Sequence, residues 1–335
     1  MKKLSLIDKL IAAINSLIAT FLLVSFLSYY ISPNTLPILS LTSLTTPILI
    51  IINLLFIVYW IVKFKKSFLI STVVLLVGFQ YITKFYSFEE KKILLNNDLK
   101  IMSYNVRMFN IYKSIENDDI PQNIFKFINI KNPDILCLQE FSKTENLGFK
   151  YNYHFVKVNT KENFGQAIFS KYKIINSGSL NFPKSNNNTI FADIIKNKDT
   201  IRIYNVHLET LKTNPKAETF STENSEKLRI RLQNAFKKQN NQVNLIVEHQ
   251  AHLKHKSIIC GDFNNTAFSW AYHQLKIGKN DAFEIAGKGF GKTYNYPFPF
   301  RIDFILVDKK IEVNNFKTYS VEYSDHFPIM ARLNF

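Results

Sequence analysis

Between residues 10 and 82 only Lys63, Lys65 and Lys66 carry a charge, and most other positions are apolar. A helix that crosses a bilayer needs about 20 mostly apolar residues, and three stretches meet or approach that length. The first covers residues 10–31 and follows Lys2, Lys3 and Lys9. The second covers 36–62, its first part softened by Pro47 and several Ser and Thr. The third, 68–82, is shorter and contains Gln80. A cleavable signal accounts for the first run alone, and that run is longer than a usual signal core, with no clear small-residue cleavage site after it. We therefore expect residues 1–83 to form a membrane anchor of three helices, 84–98 a connector, and 99–335 a globular domain.

The lysines set the expected orientation, because short cytoplasmic loops carry the excess of Lys and Arg. The N-terminus is basic, the 32–43 loop is uncharged, and Lys63, Lys65 and Lys66 separate the second and third stretches. This predicts an integral protein of the cytoplasmic membrane with the globular domain extracytoplasmic; two spans in place of three would turn that domain inward. The formal net charge is +16; residues up to Thr83 contribute six lysines and one aspartate, and the remainder keeps 36 basic against 25 acidic residues. A basic surface attracts polyanions such as nucleic acid or an anionic lipid leaflet. Two cysteines, Cys137 and Cys260, each within an apolar run, exclude a disulfide framework and a cysteine-based metal site.

After Leu99, short β-rich runs alternate with helical stretches. KIMSYNV, DILCLQE, QAIFSKY, TIRIYNVHL, SIICGDF, RIDFILV and PIMARL read as strands. Helices are expected over about 120–129 and about 223–256, the latter from apolar Leu228, Leu232, Ala235 and Phe236 at helical spacing. Strands and helices interleaved over some 235 residues imply a layered α/β domain.

Six short motifs place a carboxylate, amide or imidazole at the end of an expected strand, where an α/β scaffold presents functional groups. They are Asn105 in SYNVR, Glu140 in LQE, His207 in NVHLE, Asp262 and Asn264 in GDFN, Asp303 in RIDFI, and Asp325-His326 in SDH. A single buried Asp or His is more often part of a satisfied polar network than a catalyst. Six in order, each backed by an apolar strand, are hard to explain as packing.

This series, with the GQAIFS run between LQE and NVHLE, resembles that of the endonuclease/exonuclease/phosphatase (DNase I-like) superfamily over residues 99–335. The resemblance implies a four-layered α/β sandwich of two packed mixed sheets with the site at one edge, here preceded by transmembrane helices. It also implies a hydrolase of phosphoric esters that uses Mg²⁺, with Mn²⁺ or Ca²⁺ as alternatives. Glu140 is assigned to the metal, with Asp325 and the Asn105 amide nearby; hard cations prefer such oxygen ligands and keep several waters. His326 matches the family's essential histidine, and Asp303 is expected to hold it and favour its protonated form. Asp262 and Asn264 are expected to line the other side of the phosphate, orienting water and stabilising charge.

His207 resembles the histidine of the DNase and sphingomyelinase branches, where abasic-site enzymes carry tyrosine. Which of His207, His326 and Asp262 acts as base stays open. Glu162 in KENFGQ falls where some relatives keep a carboxylate that supports this histidine. Tyr294, Tyr296 and Trp270 are candidate substrate contacts, since aromatics in the loop before RIDFI could stack on bases or dip into lipid; Phe298 and Phe300 belong to the same cluster. His249, His252 and His255 recur every three residues on a helix, which spreads the first and third by about 120°, so a solvated face is expected there instead of a metal site. The preferred reading is a membrane-anchored DNase-like phosphodiesterase acting on nucleic acid. A phosphodiesterase acting on lipid head groups is the rival, phosphomonoester hydrolysis a third reading, and neither needs a protein partner. A non-catalytic scaffolding module would be expected to have lost some of these residues, and all are present.

Overall fold

Alternation of apolar side chains along the strands builds the soluble half. In the first strand, β1 (Leu99–Asn105), Leu99 and Ile101 point one way and Met102 and Tyr104 the other. The computed structural model describes residues 5–117, 119–142, 148–159, 163–211 and 222–335. The remaining strands are β2 (Ile135–Phe141), β3 (Tyr153–Asn159), β4 (Phe164–Ser170), β5 (Ile174–Ser179), β6 (Thr189–Lys196), β7 (Asp199–His207), β8 (Lys256–Asp262), β9 (Lys279–Asp281), β10 (Asp303–Asp308), β11 (Glu312–Thr318) and β12 (Ile329–Asn334). They form two six-stranded mixed sheets, ordered β11-β12-β1-β2-β4-β3 and β5-β6-β7-β8-β10-β9.

The sheets face each other across a core that takes every second residue from both: Ile101, Ile135, Cys137 and Ile168 from one, Ile194, Ile203, Ile258, Cys260 and Ile305 from the other. Both cysteines are free, buried thiols in this layer. The outer face of the first sheet is covered by α6 (Ile120–Lys131) through Ile124, Phe127 and Ile128. The outer face of the second is covered by α7 (Thr222–Ala251) and α8 (Trp270–Lys276). A short helix, α9 (Ala282–Ala286), packs against the sheet ends. The domain is thus a four-layered α/β sandwich. The long helix stops at Ala251, short of the expected 256, because Lys256 already pairs with Ile201 as the first rung of β8.

The apolar N-terminal segment forms α1 (Leu6–Phe26), α2 (Pro37–Ser40), α3 (Thr42–Val62), α4 (Phe68–Val77) and α5 (Phe79–Phe85). α1 and α3 are long and apolar enough to cross a membrane. The third stretch is no single helix: α4 and α5 meet at Gly78 with a 78° bend. Glycine is needed there, since a Cβ would lie 2.3 Å from the Phe26 ring, whose neighbour Tyr81 stacks on it at 4.3 Å. Large side chains such as Leu17, Phe21, Leu55, Val58 and Leu76 face outward, away from the rest of the molecule.

Inside the bundle one polar chain crosses all three long elements. Trp60 donates to Asn15 Oδ1 (2.8 Å), Asn15 to Ser71 Oγ (2.7 Å) and Ser71 to Asn53 Oδ1 (2.8 Å). The helices also share one core with the α/β domain: Phe26, Tyr29, Tyr81 and Phe85 join Tyr204, Val206, Phe263, Phe268 and Tyr272. Contacts with the α/β domain fall on the 27–43 connection and α5, whereas Asp8 and Lys63, 4.0 Å apart, mark the other end of the bundle. Lys2, Lys3 and Glu162 lie outside the described residues.

Candidate active site

Strand register sets the site. β7 and β8 run parallel with His207 opposite Asp262, and β10 runs antiparallel to β8 with Asp303 opposite the same Asp262. The close approach of β7 and β8 requires Gly261: its φ is +140°, and a Cβ there would lie 1.9 Å from the Val206 carbonyl oxygen. On the facing sheet β1 ends at Asn105 beside β2, with Asn105 opposite Gln139. The β2–β4 register slips between Gln139 and Phe141, which leaves Glu140 as the bulged residue at φ +49°. A bulge of this kind re-aims a side chain, and here it turns Glu140 out of the sheet toward the opposing strands.

The Asp262 carboxylate is the hub. Its Oδ2 accepts from Asn105 Nδ2 (3.1 Å) and Asn264 Nδ2 (3.2 Å), while His207 Nε2 stands 3.6 Å and His326 Nε2 3.7 Å away. Its Oδ1 accepts from the Asn264 backbone N–H at 2.7 Å. His326 comes from the loop before β12 and turns Nδ1 to Asp303 Oδ2 at 2.9 Å. Thr293 Oγ1 accepts from the backbone N–H of Ile302 and Asp303, which fixes the start of β10. Asn105 also donates to Glu140 Oε1 at 3.3 Å, and His207 Nε2 stands 3.8 Å from the same oxygen. The Asn105 oxygen accepts from the Arg107 N–H, so this amide turns its nitrogen, not its oxygen, toward the carboxylates.

Burial and crowding split the titrations. Burial pushes Asp262 up to about 6; the negative Asp303 adds to the rise and both imidazoles oppose it. Burial lowers His207, which favours its neutral form. Burial also works against a charged His326, but the carboxylates of Asp303 and Asp262 outweigh it and hold the imidazole well above its usual value. Glu140 is raised, first by burial and then by Asp325, whose charge is partly met by Arg107 at 3.2 Å.

Two groups here have the donor chemistry for a metal. Asp262, Asp303 and His326 offer ligand atoms within 4.8 Å of one another. His326 Nδ1 is already engaged with Asp303, however, and all three are buried. Glu140 and Asp325 sit at the half-exposed mouth, offer only oxygen, and are two neighbouring carboxylates with one arginine between them. That excess negative charge and all-oxygen donor set suit a hard divalent cation that keeps several waters.

A groove of about 350 Å³ opens beside His207. It is lined by Lys157, Phe164 and Phe182 and by the amides of Asn159, Gln166, Asn181, Asn186, Asn187 and Asn188. Tyr294 turns its ring edge-on to His326 at 5.2 Å, and Tyr296 stacks beyond it at 6.4 Å. Trp270 is elsewhere: it opens α8 and is buried in the core shared with the apolar helices, because the face of α8 that meets the 27–43 connection is its apolar one. His249 and His255 are half-buried instead of solvated; His249 Nδ1 is 2.8 Å from the Tyr204 hydroxyl and His255 Nε2 is 3.5 Å from Asp193.

Sequence reasoning passed over several supports. Arg107 pairs with Asp325, and Ser324 Oγ donates to the Asn105 carbonyl at 2.8 Å. Gln139, Gln166 and Asn205 form an amide network between the sheets beneath the site, with Gln139 Nε2 2.7 Å from Asn205 Oδ1 and Gln166 Nε2 2.9 Å from the Asn205 carbonyl. The signal was present: Gln139 and Asn205 lie one and two places from Glu140 and His207, and Gln166 lies in the GQAIFS run.

Comparison with known proteins agrees with this geometry. Residues 8–85 match the model of a domain of unknown function. A DNA-(apurinic or apyrimidinic site) endonuclease from Dictyostelium discoideum is 31% identical over 83 residues, 23% of this chain and 21% of that protein. The chain thus spans about a fifth of that relative's length. Among solved structures, the endonuclease/exonuclease/phosphatase from Bacteroides vulgatus superposes with a TM-score of 0.55 at 18% identity, covering 72% of this chain and 100% of that one. D. rerio TDP2 complexed with single strand DNA product gives 0.54 at 17% identity, with 72% and 100% covered. The human Nocturnin catalytic domain with bound sulfate anion gives 0.53 at 17%, with 75% and 97% covered. At these identities the likeness establishes the fold. The model of the Endonuclease/Exonuclease/phosphatase family matches residues 102–326, two thirds of the chain, and the chain belongs to that family of divalent-metal-dependent hydrolases of phosphoric esters.

Proposed function

We propose that the chain is a membrane-anchored phosphodiesterase that cleaves nucleic acid. The observation that carries the reading is the convergence of His207, Asp303, Asn105, Asn264 and His326 on the single carboxylate of Asp262. Glu140 and Asp325 would hold the metal, Mg²⁺ by preference, which when bound neutralises charge on phosphoryl and leaving oxygens. His326, kept protonated by Asp303, faces the scissile phosphate as a cation. Asp262, at a pKa of about 6, is largely ionised at neutral pH and is poised to orient an attacking water and take its proton. Neutral His207 lies between Asp262 and Glu140, within reach of either. Asn264 supplies a neutral donor to developing charge. The amide-lined groove beside His207 and the Tyr294–Tyr296 stack suit a nucleotide better than an acyl chain, and the basic balance of the domain suits a polyanion. The similarity to a fold solved with a single-stranded DNA product adds support.

The anchor belongs to the same reading. The catalytic half meets the bundle at the end opposite Asp8 and Lys63, which supports a reading in which it and the lysine-rich 63–66 loop face opposite sides of a bilayer. With that loop cytoplasmic, residues 99–335 are extracytoplasmic on the cytoplasmic membrane. One observation favours a second substrate class, a lipid phosphodiester: Asn264 is a single residue from Asn265, which touches Ser43 near the start of α3, so the site stands close to the bilayer surface.

The test is nicking of supercoiled plasmid by the full chain in detergent with Mg²⁺, beside His326→Ala and an EDTA control. Metal-dependent nicking lost in the variant is expected. A folded, Mg²⁺-binding protein that leaves plasmid intact but releases head groups from phospholipid micelles would overturn the nucleic-acid reading in favour of lipid.

A further inference from the structure

The loop after β8 serves two masters. Asn264 faces the site in a left-handed conformation, φ +49°, which asparagine adopts more readily than other residues with a side chain. The next two residues turn away to the apolar helices. Ser43 Oγ donates to the Ser40 carbonyl at 2.7 Å and shares its proton with Asn265 Oδ1 at 3.3 Å, and Asn265 Nδ2 donates to Gln239 Oε1 at 2.8 Å. Gln239 Nε2 donates in turn to the carbonyls of Glu209 (2.7 Å) and Asn264 (3.2 Å). Thr266 Oγ1 donates to the Ser43 carbonyl at 2.8 Å. Ser43, Asn265, Thr266 and Gln239 are all buried.

A second tie reaches the other side of the site. Arg301, two residues before Asp303 and buried between Phe283 and Phe304, donates to the Lys84 carbonyl at the end of α5 (3.2 Å) and to Asp281 Oδ2 (2.7 Å). The loops that follow His207 and Asp262, and the strand start that carries Asp303, are therefore all braced by the N-terminal helices.

We infer that the apolar helices are part of the active-site scaffold, and that Ser43, Asn265 and Gln239 are positioning residues which fix the loop carrying Asn264 and the loop that follows His207. The inference rests on the phosphodiesterase reading of the site. None of the three touches the reacting atoms; they act through the Asn264 and Glu209 carbonyls.

The test uses the full chain in detergent, comparing wild type with Ser43→Ala, Asn265→Ala and Ser43→Thr. Hydrogen exchange is read over 207–210 and 262–266, with 101–104 in β1 as internal reference, and steady-state kinetics are read on plasmid and on bis(4-nitrophenyl) phosphate. Ser43→Ala and Asn265→Ala are expected to speed exchange in both loops but not in β1. They are expected to lower kcat roughly three- to ten-fold, the effect of one lost neutral hydrogen bond, with KM unchanged and the thermal midpoint lowered by about 2–6 °C; Ser43→Thr, which keeps the hydroxyl, restores exchange, kcat and midpoint. Folded Ser43→Ala with wild-type exchange at 207–210 and 262–266 overturns the inference whatever the activity. Faster exchange in a chain that hydrolyses no phosphodiester leaves the scaffold inference standing and sinks the functional reading instead.

Discussion

Replacing Asp303 with Asn tests the charge logic of the site. The carboxylate lies 2.9 Å from His326 Nδ1 and both groups are buried, so little solvent screens them. Asparagine keeps an acceptor of nearly the same shape and removes only the charge. A hydrogen bond to a charged group contributes about 1.5–3 kcal/mol against about 1 for a neutral one, so the loss is roughly 1–2 kcal/mol while His326 is protonated. At about 2–4 °C per kcal/mol for a domain of this size, the thermal midpoint falls by roughly 2–8 °C. His326 is held above its unfolded value of about 6.5. Its contribution is thus complete below that pH and is lost as pH rises through the raised folded value. The gap between wild type and Asp303→Asn is expected to be widest near pH 6 and to close at high pH, in melts followed by intrinsic fluorescence across that range. Turnover should fall by about 10²-fold or more, with the alkaline limb of the activity profile moved to lower pH because His326 releases its proton sooner. A folded variant with wild-type turnover and a melting gap independent of pH would refute the claim that Asp303 holds His326 charged.

Two further perturbations probe other parts of the molecule. Lys279 is 8% exposed, donates to Ser257 Oγ at 2.6 Å, and is lowered to about 8 by burial. The unfolded chain therefore binds more protons between pH 8 and about 10.4, and stability should rise with pH through that window by an amount on the order of 3 kcal/mol. Lys279→Met is expected to flatten that rise and to stabilise the protein at pH 7; a melt that keeps the wild-type slope between pH 8 and 10 counts against a buried amine there. Asn15→Leu removes the centre of the Trp60–Asn15–Ser71 chain and leaves an indole N–H without a partner in the bundle. A loss of about 0.6–2 kcal/mol is expected, read as a lower melting point in detergent, and an unchanged melt would mean that apolar packing alone holds α1, α3 and α4 together.

Much of the candidate site was legible because its residues sit beside strongly patterned strands. An apolar run followed by Gln-Glu, Gly-Asp-Phe-Asn or Ser-Asp-His announces both a strand and the group at its end. Five strands went unread: β3, β5, β6, β9 and β11. β3 and β5 lie at sheet edges, where half-exposed positions weaken the alternation, and β9 is three residues long. The end of α7 was misplaced because nothing local stops it; the pairing of Lys256 with Ile201 does.

The sequence by itself determined that the segment up to Phe85 is apolar almost throughout and which faces of the rest had to be buried between layers, since period and composition are local properties of the chain. It also determined which chemical groups stand at strand ends. Only the tertiary structure decided which of those groups meet. The register of β8 between β7 and β10 brings Asp262 opposite both His207 and Asp303. Closure of the two sheets brings Asn105 and Glu140 to the same point, and Trp270 is carried off into the core beside the helices. The bend at Gly78 and the docking of Ser43 on Asn265 were decided in the same way. Each depends on contacts between residues far apart in the chain, and such contacts are fixed by how packed layers close on one another, which no local pattern of side chains encodes.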